Sequence, residues 1–181
     1  VLSARGRTFM AGADISEFGK LLQPPSLPEV IAFMESVQKP IVAAVFGTPL
    51  GGGLEITFGC HFRVAAPDTR LGLPEIKLGI IPGYGGTQRS TRLIGPGRAL
   101  ELILSGNFLS GRQAESYGLV NRAVPKGTVV AEAMQLAGTI AARSRVAVQA
   151  ALRAVLEGAT MDLYTGMRLE RELFGICYAS E

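Results

Sequence analysis

Two glutamates stand about twenty residues apart in this chain, and each lies close to a glycine-rich turn. Glu55 ends the motif LGGGLE at residues 50–55, and Glu75 precedes the motif PGYGG at residues 82–86. Glycine has no side chain, so a small ligand can approach the backbone N–H groups of such turns closely. Paired carboxylates beside exposed N–H groups are the components needed for acid–base chemistry on an activated carbonyl.

The glycine triplet at residues 51–53 is predicted to begin a helix that runs to about residue 59. The first N–H groups of a helix have no intrahelical acceptor, and the helix dipole favours negative charge beside them. Glu55 follows Gly52 by three residues and is therefore near the same helix face. One site could then hold a developing oxyanion and a carboxylate, although such a triplet is also typical of tight packing between a strand and a helix.

Both glutamates interrupt apolar stretches. Glu55 carries the one charge within residues 50–58, and Glu75 shares residues 71–81 with only Lys77. A buried carboxylate needs a partner or a raised pKa. Two alternatives stay open. Glu55 could be an exposed residue in the first turn of its helix, and Glu75 could pair with Lys77, although side chains two positions apart do not face each other on a helix.

Other familiar kinds of site find little support in the sequence. The PGYGG turn lacks the Gly-Lys-Ser/Thr of a P-loop, which argues against a nucleotide-hydrolysing site. His61 is the one histidine, and no further ligand lies at a suitable spacing from it, so we predict no metal site. Because no G-x-S-x-G motif is present, a serine nucleophile activated by His61 is not supported either.

The composition is that of one globular domain with a substantial core. The chain has 181 residues, of which 48% are hydrophobic. Its net charge is +3, and the Lys and Arg residues are scattered, which gives no footprint for nucleic acid. Cys60 and Cys177 lie in apolar stretches and are predicted to be buried free thiols, which fits a reducing compartment. No apolar run approaches the roughly 20 residues that span a membrane.

Strand and helix patterns alternate in the first half of the chain, and the second half is mainly helical. Strands are predicted at residues 1–4, 41–46, 62–65, 71–73 and 119–124. Helices are predicted at residues 26–38, 51–59, 98–104, 111–117, 129–142, 146–156 and 161–178, with another after 83–86. This order predicts an α/β core at residues 1–125 and a helical C-terminal region of the same domain at residues 126–181.

One face of the last predicted helix is apolar. It carries Leu163, Met167, Leu173 and Cys177 at helical spacing. A stripe of this kind predicts docking on the core or on another subunit.

Several motifs occur together in the order and spacing of a known family. They are FMAGADI at residues 9–15, KPIVAAVFG at 39–47, LGGGLE at 50–55, LPE at 73–75 and GIIPGYGGTQR at 79–89. By these motifs the chain resembles the enoyl-CoA hydratase/isomerase (crotonase) family over nearly its whole length. PPSLPE at residues 24–29 and the Cys60-His61 pair look most similar to the hydratase module of multifunctional β-oxidation enzymes. The resemblance implies an α/β crotonase-like ββα superhelix whose C-terminal helices mediate trimer formation.

The resemblance also implies roles for individual residues. Glu55 and Glu75 match the two catalytic glutamates, and the backbone N–H groups of Ala13 and Gly52 match the oxyanion hole. The residues that would line the substrate or coenzyme A site are Ala11, Asp14, Ile15, Ser16 and Gly83, of which Gly83 would help to seat a water molecule. Tyr84 stands where many members have alanine, which could reshape the acyl pocket.

The function implied by the resemblance is syn addition of water to a trans-2-enoyl-CoA, giving a 3-hydroxyacyl-CoA in fatty-acid β-oxidation. Alternatives are a Δ3,Δ2-enoyl-CoA isomerase, an RNA-binding family member and an inactive truncated scaffold. No metal or separate cofactor is implied, because coenzyme A enters as part of the substrate. The expected assembly is a homotrimer or a dimer of trimers, with no nucleic-acid or membrane partner. The expected location is the cytoplasm in a bacterium, and mitochondria or peroxisomes in a eukaryote.

Both ends of the chain suggest a fragment. Val1 is not a start methionine and already reads as part of a strand, and the helical pattern before Glu181 has no stop signal. We therefore expect the family's N-terminal strands and last helix to be missing. A targeting peptide is unreadable for the same reason.

Overall fold

The computed structural model describes residues 1–12 and 24–180, and the elements named here lie in those ranges. The α-helices are α1 Leu27–Ser36, α2 Gly52–Phe58, α3 Gly86–Ile94, α4 Pro96–Ser105, α5 Gly111–Tyr117, α6 Val129–Ala141, α7 Arg145–Gly158 and α8 Leu163–Ala179. The strands are β1 Val42–Val45, β2 Phe62–Ala65, β3 Arg70–Gly72, β4 Phe108–Ser110 and β5 Arg122–Ala123, and a 3-10 helix covers Pro74–Leu78.

Two of these elements were missed by the sequence patterns. Strand β4 has only three half-buried residues, so it shows no alternation of apolar and polar side chains. The 3-10 helix begins at Pro74, which favours a first helical turn, and ends at Gly79, whose φ of 74° is left-handed. The predicted strand at residues 1–4 is reduced to a parallel bridge between Leu2 and Ala43.

A three-stranded parallel sheet lies at the centre, in the order β1-β2-β5. Val42 of β1 pairs with Phe62 of β2, and Val64 of β2 pairs with Arg122 of β5. All residues of β1 are buried, as in a strand covered on both faces, which explains its unbroken apolar sequence.

The two faces of this sheet are covered by separate apolar clusters. The larger cluster joins α2, β3 and α4 through residues such as Leu54, Leu71 and Leu102. On the opposite face, Val129 and Ala133 of α6 pack against β1 and β2. The predicted division at residues 125 and 126 stays a prediction, but α6 covers one face of the sheet directly.

A two-stranded antiparallel sheet, β3-β4, places the start of α2. Gly51 donates its N–H to the carbonyl of Gly72 at 3.0 Å, and Leu50 forms a parallel bridge with the same glycine. A Cβ on Gly72 would collide with the ring of Phe108 in β4. The glycine therefore leaves room for the ring of Phe108, which pairs with it across the two strands.

A buried arginine closes the other end of α2. Arg63 is 4% exposed and donates from Nη1 to the carbonyls of Thr57 and Cys60, at 3.0 and 2.7 Å. Its Nε donates to the carbonyl of Leu119 at 2.7 Å. Burial lowers the pKa of the guanidinium to about 10, so it stays cationic at neutral pH. The Thr57 carbonyl in the last turn of α2 and the Cys60 carbonyl just beyond it thus accept from a cation, whose charge interacts favourably with the helix dipole there.

His61 has a structural partner. Its Nδ1 accepts a hydrogen bond from the N–H of Ile41 at 2.9 Å, which connects the end of α2 to β1. Burial and the nearby Arg63 charge lower the pKa of His61, so the neutral ring that can accept this bond is favoured. Across residues 1–12 and 24–180, no group of three or more His, Cys, Asp and Glu side chains could hold a metal ion.

Helix α8 docks on the rest of the chain with only part of its predicted apolar face, and docking on another subunit stays a prediction. Leu173 is 6% exposed and packs inward, but Leu163 is 73% exposed and Met167 is also largely exposed. The helix packs against α7, from which a short turn separates it along the chain. Cys177 is half-buried rather than buried, whereas Cys60 is buried as predicted. None of the helices in the described ranges is long and apolar enough to cross a membrane.

Candidate active site

A cleft of about 330 Å³ opens where the start of α2, the 3-10 helix and the PGYGG turn meet. It brings together the predicted site residues Ala11, Gly52, Glu55, Glu75 and Gly83. Much of the remaining wall is apolar. The predicted residues Ala13, Asp14, Ile15 and Ser16 lie outside the described residues, so their placement stays a prediction.

Two glycines of the triplet, Gly51 and Gly53, lie where a larger side chain would not fit. A Cβ on Gly53 would collide with the carbonyl of Met10, so this residue is a close packing point, although against a loop rather than a strand. Gly51 has a φ of 50°, and a Cβ there would lie 2.8 Å from Oε1 of Glu75. The triplet thus brings the loop at residues 10–12 and the Glu75 carboxylate against one helix start.

Gly52 is the first residue of α2. The hydrogen bonding of its N–H group differs from that of the next two residues. Gly53 donates to the carbonyl of Leu50 at 2.9 Å, and Leu54 donates to Gly51 at 2.8 Å. Among the described residues, no acceptor is found for the Gly52 N–H. Within the described residues, this donor is therefore available to a ligand oxygen, as expected for the first amide of a helix.

Glu55 is buried, with 1% of its surface exposed, so the alternative of an exposed first-turn glutamate is wrong. Its Oε1 accepts hydrogen bonds from the N–H groups of Tyr84 at 2.8 Å and Gly86 at 2.7 Å. Gly86 begins α3, so the carboxylate also sits at the positive end of that helix. A Cβ on Gly86 would lie 2.8 Å from Oε1, which explains the glycine. Oε2 is buried and has no partner within the part of the chain described.

Glu75 lies in the first turn of the 3-10 helix, is half-buried and lines the same cleft. Its Oε2 is also buried without a partner among the described residues. No ion pair joins it to Lys77 in those ranges; Nζ of Lys77 lies 5.4 Å from the ring centre of Phe108 instead. The Glu75–Lys77 alternative is therefore not realised.

Burial raises the pKa of both glutamates. In Glu55 this effect is opposed by the N–H groups of Gly86 and Tyr84 and by the charge of Arg89. In Glu75 burial acts together with repulsion from the Glu55 charge. The Glu55 charge is thus one reason why Glu75 holds its proton to a higher pH than a free carboxyl does. Such a pair can supply a base and an acid at the same pH.

Replacing Glu75 with Gln is expected to raise the thermal midpoint at about pH 7.5, because the variant no longer buries a charge. A carboxyl whose pKa is raised by folding stabilises the native state most below its unfolded pKa, and this contribution is lost as the pH rises through the folded pKa. The gain should therefore disappear at about pH 4. Scanning calorimetry at both pH values tests this, with Glu101→Gln on the exposed face of α4 as the control. An equal gain at both pH values would contradict the argument.

The sequence patterns did not predict the groups that bind the Glu55 carboxylate or lie near it. These are the backbone donors of Tyr84 and Gly86, and Arg89, which forms an ion pair with Glu35 of α1. The available signal was a glycine-rich turn directly before a helix, which exposes several N–H groups at one place. That signal indicates an anion site but does not say that the anion is a side chain of the same protein.

Comparisons of the sequence with a family model and with known proteins identify the same family. A family model described as enoyl-CoA hydratase/isomerase matches residues 1–181. The chain is 38% identical over 186 residues to a crotonyl-CoA hydratase of Syntrophomonas wolfei, with 97% of this chain and 70% of that protein covered. It is 41% identical over 189 residues to a probable enoyl-CoA hydratase of Bacillus subtilis, with coverage of 100% and 73%.

Solved structures give the same result at the level of the fold. The crystal structure of an enoyl-CoA hydratase from Bacillus anthracis superposes with a TM-score of 0.89 and 38% sequence identity. The match covers 97% of this chain and 71% of that one. The predicted crotonase-like fold is thereby confirmed.

Proposed function

Because this chain belongs to the enoyl-CoA hydratase/isomerase family, we propose that it adds water in syn fashion to a trans-2-enoyl-CoA and forms a 3-hydroxyacyl-CoA. One observation carries the proposal. Glu55, Glu75 and Gly52 line one cleft. Each glutamate has a buried carboxylate oxygen, and the described residues offer no partner to either oxygen or to the Gly52 N–H. Water addition needs both a base and an acid, and the pair can supply them.

The N–H of Gly52 would bind the thioester oxygen, together with the N–H of Ala13. Hydration at C3 sends electron density onto this oxygen, so donors placed there stabilise the enolate as it forms. Removing one such donor typically costs about 100- to 1000-fold in kcat. The Gly52 N–H, which has no acceptor among the described residues, and the position of Gly52 in the cleft wall support this role.

Glu55 would act as the base and Glu75 as the acid. Glu55 takes a proton from water, the water oxygen bonds to C3, and Glu75 gives a proton to C2, so that H and OH are added overall. The N–H of Gly83, in the wall of the cleft, would help to seat the water. Support comes from the surroundings of the two groups. Burial and the Glu55 charge raise the pKa of Glu75, whereas the N–H groups of Gly86 and Tyr84 and the Arg89 charge oppose the rise in the pKa of Glu55.

Coenzyme A would arrive as part of the substrate, with no separate cofactor. Ala11, Asp14, Ile15 and Ser16 would line its path. Relatives named for crotonyl-CoA and for short-chain enoyl-CoA support an enoyl-CoA thioester as the substrate class. The hydration would serve fatty-acid β-oxidation.

The test is direct. Purified protein is mixed with crotonyl-CoA, and loss of the conjugated enoyl thioester is followed by its ultraviolet absorbance. A parallel reaction uses a 3-enoyl-CoA. Faster hydration of the 2-enoyl substrate supports the proposal, turnover of the 3-enoyl substrate alone would replace it with an isomerase, and turnover of neither would overturn it.

We also propose that the protein assembles as a homotrimer or a dimer of trimers through its C-terminal helices. Large apolar side chains on α8, including Tyr164, Phe174 and Tyr178, are exposed in the single chain, and covering them would remove apolar surface from water. Light scattering coupled to gel filtration measures the mass. A monomer at micromolar concentration would contradict the proposal.

A further inference from the structure

Arg89 makes an unusual set of contacts behind the cleft, whose wall it does not form. It lies one turn into α3, and its Nε and Nη2 donate to the two oxygens of Glu35 at 2.6 and 2.7 Å. Its Nη1 donates to the carbonyl of Tyr84 at 3.1 Å. A bidentate Arg–carboxylate pair fixes the orientation of the guanidinium as well as its distance from the carboxylate. The guanidinium therefore connects the last turn of α1 rigidly to the PGYGG turn.

The carbonyl that Arg89 binds belongs to the peptide group between Tyr84 and Gly85. The peptide group before it carries the Tyr84 N–H, and the one after it carries the Gly86 N–H. These are the two groups that donate to Oε1 of Glu55, at 2.8 and 2.7 Å. Because the middle peptide is held, the peptides on either side have little freedom to turn their N–H groups away from the carboxylate.

Gly85 leaves the room for this contact. Its φ is 95°, in the left-handed region, and a Cβ there would collide with Nη1 of Arg89. The turn is thus shaped so that the guanidinium can fold back over it. An exposed ion pair by itself contributes little to stability, so stability alone is a weak explanation for this arrangement.

Arg89 also acts on Glu55 through its charge. Among the described residues, the charged groups that face Glu55 are Arg89 from α3 and Glu75 from the 3-10 helix, with Glu35 behind Arg89. Burial raises the pKa of Glu55, and the Arg89 charge lowers it. The cation therefore favours the ionised form that a base must have.

We propose that Arg89, anchored by Glu35, is a positioning residue for the reaction: it aims two backbone donors at one oxygen of Glu55 and leaves the other oxygen to the water. The inference rests on the proposed hydration.

Three variants separate positioning from stability. Arg89→Met removes both the positive charge and the hydrogen bonds of the guanidinium. Glu35→Gln removes the carboxylate that pairs with Arg89 but leaves the cation. Lys126→Met breaks the exposed Lys126–Asp68 ion pair and is the matched control. For each variant, kcat and KM for crotonyl-CoA are measured separately as a function of pH. The acid limb of kcat/KM gives the pKa of the base in the free enzyme.

In Arg89→Met, kcat should fall about 10- to 100-fold with little change in KM, because misplacing a catalytic group by about 1 Å costs that much. Its acid limb should move to higher pH. Glu35→Gln should also lower kcat, but its acid limb should not move to higher pH, because the cation remains. Lys126→Met should match the wild type. An unshifted acid limb or a wild-type kcat in Arg89→Met would overturn the proposal.

An NMR titration makes the outcome independent of turnover. The carboxyl carbon of Glu55 is observed in protein labelled with ¹³C-glutamate and is assigned by its loss in Glu55→Gln. The Glu55 pKa should be higher in Arg89→Met than in the wild type, and an equal value would overturn the proposal even if the variant turned over slowly. If wild-type protein does not hydrate crotonyl-CoA, the proposed function fails, while the titration still decides whether Arg89 controls Glu55.

Discussion

Glu55→Gln should lower kcat for hydration of crotonyl-CoA by about 100- to 10000-fold, the usual contribution of a general base or acid. Gln keeps the shape of the side chain, and its carbonyl oxygen can still accept from the N–H groups of Tyr84 and Gly86. The fold of the cleft should therefore survive, and KM should change little. The loss then reports the missing base rather than a collapsed site.

Glu75→Gln should cause a loss of similar size, because the second proton transfer needs the other carboxyl. Because both proton transfers belong to one turnover, the double variant should be hardly slower than the slower single variant. Steady-state kinetics of the single variants, the double variant and Glu101→Gln measure this. Wild-type kcat in either single variant, or losses that multiply in the double variant, would contradict the assigned pair.

Arg63→Met should lower the free energy of unfolding by about 3 kcal/mol, because buried carbonyls left without a donor cost about 1–3 kcal/mol each. The affected carbonyls are those of Thr57, Cys60 and Leu119. Removing the cation also relieves its own desolvation, so the net loss is smaller than three full penalties. The thermal midpoint should fall by about 10 °C.

The control for this variant is Arg98→Met. Arg98 lies on the surface, where its guanidinium stacks 4.3 Å from the ring centre of Tyr117. Its replacement should change the stability by less than about 1 kcal/mol. Urea unfolding of both variants gives the comparison. Equal losses would show that Arg63 acts as an ordinary surface cation and not as the cap of α2.

The elements that flank the cleft were predicted well because their signals are local. Helix α5 and strand β2 have the predicted bounds, and α2 begins within the glycine triplet as expected. Strand β4 was missed because three half-buried residues carry no periodicity and form a strand only by pairing with β3. The apolar stripe on α8 was visible, but its sequence could not show that only Leu173 of that face packs inward.

The sequence by itself determined that Glu55 and Glu75 stand beside glycine-rich turns, and its motif order determined the family. These properties depend on neighbours along the chain, since caps, turns and helix starts involve residues a few positions apart. Only the tertiary structure decided that Glu55 is buried, that one oxygen of each carboxylate lacks a protein partner among the described residues, and that Arg89 lies behind them. The hydrogen bonds that hold Glu55 join residues 29 and 31 positions apart, and those between Arg89 and Glu35 span 54. Contacts at such separations arise from the packing of whole elements, so no local pattern encodes which oxygen is held and which is left for the reaction.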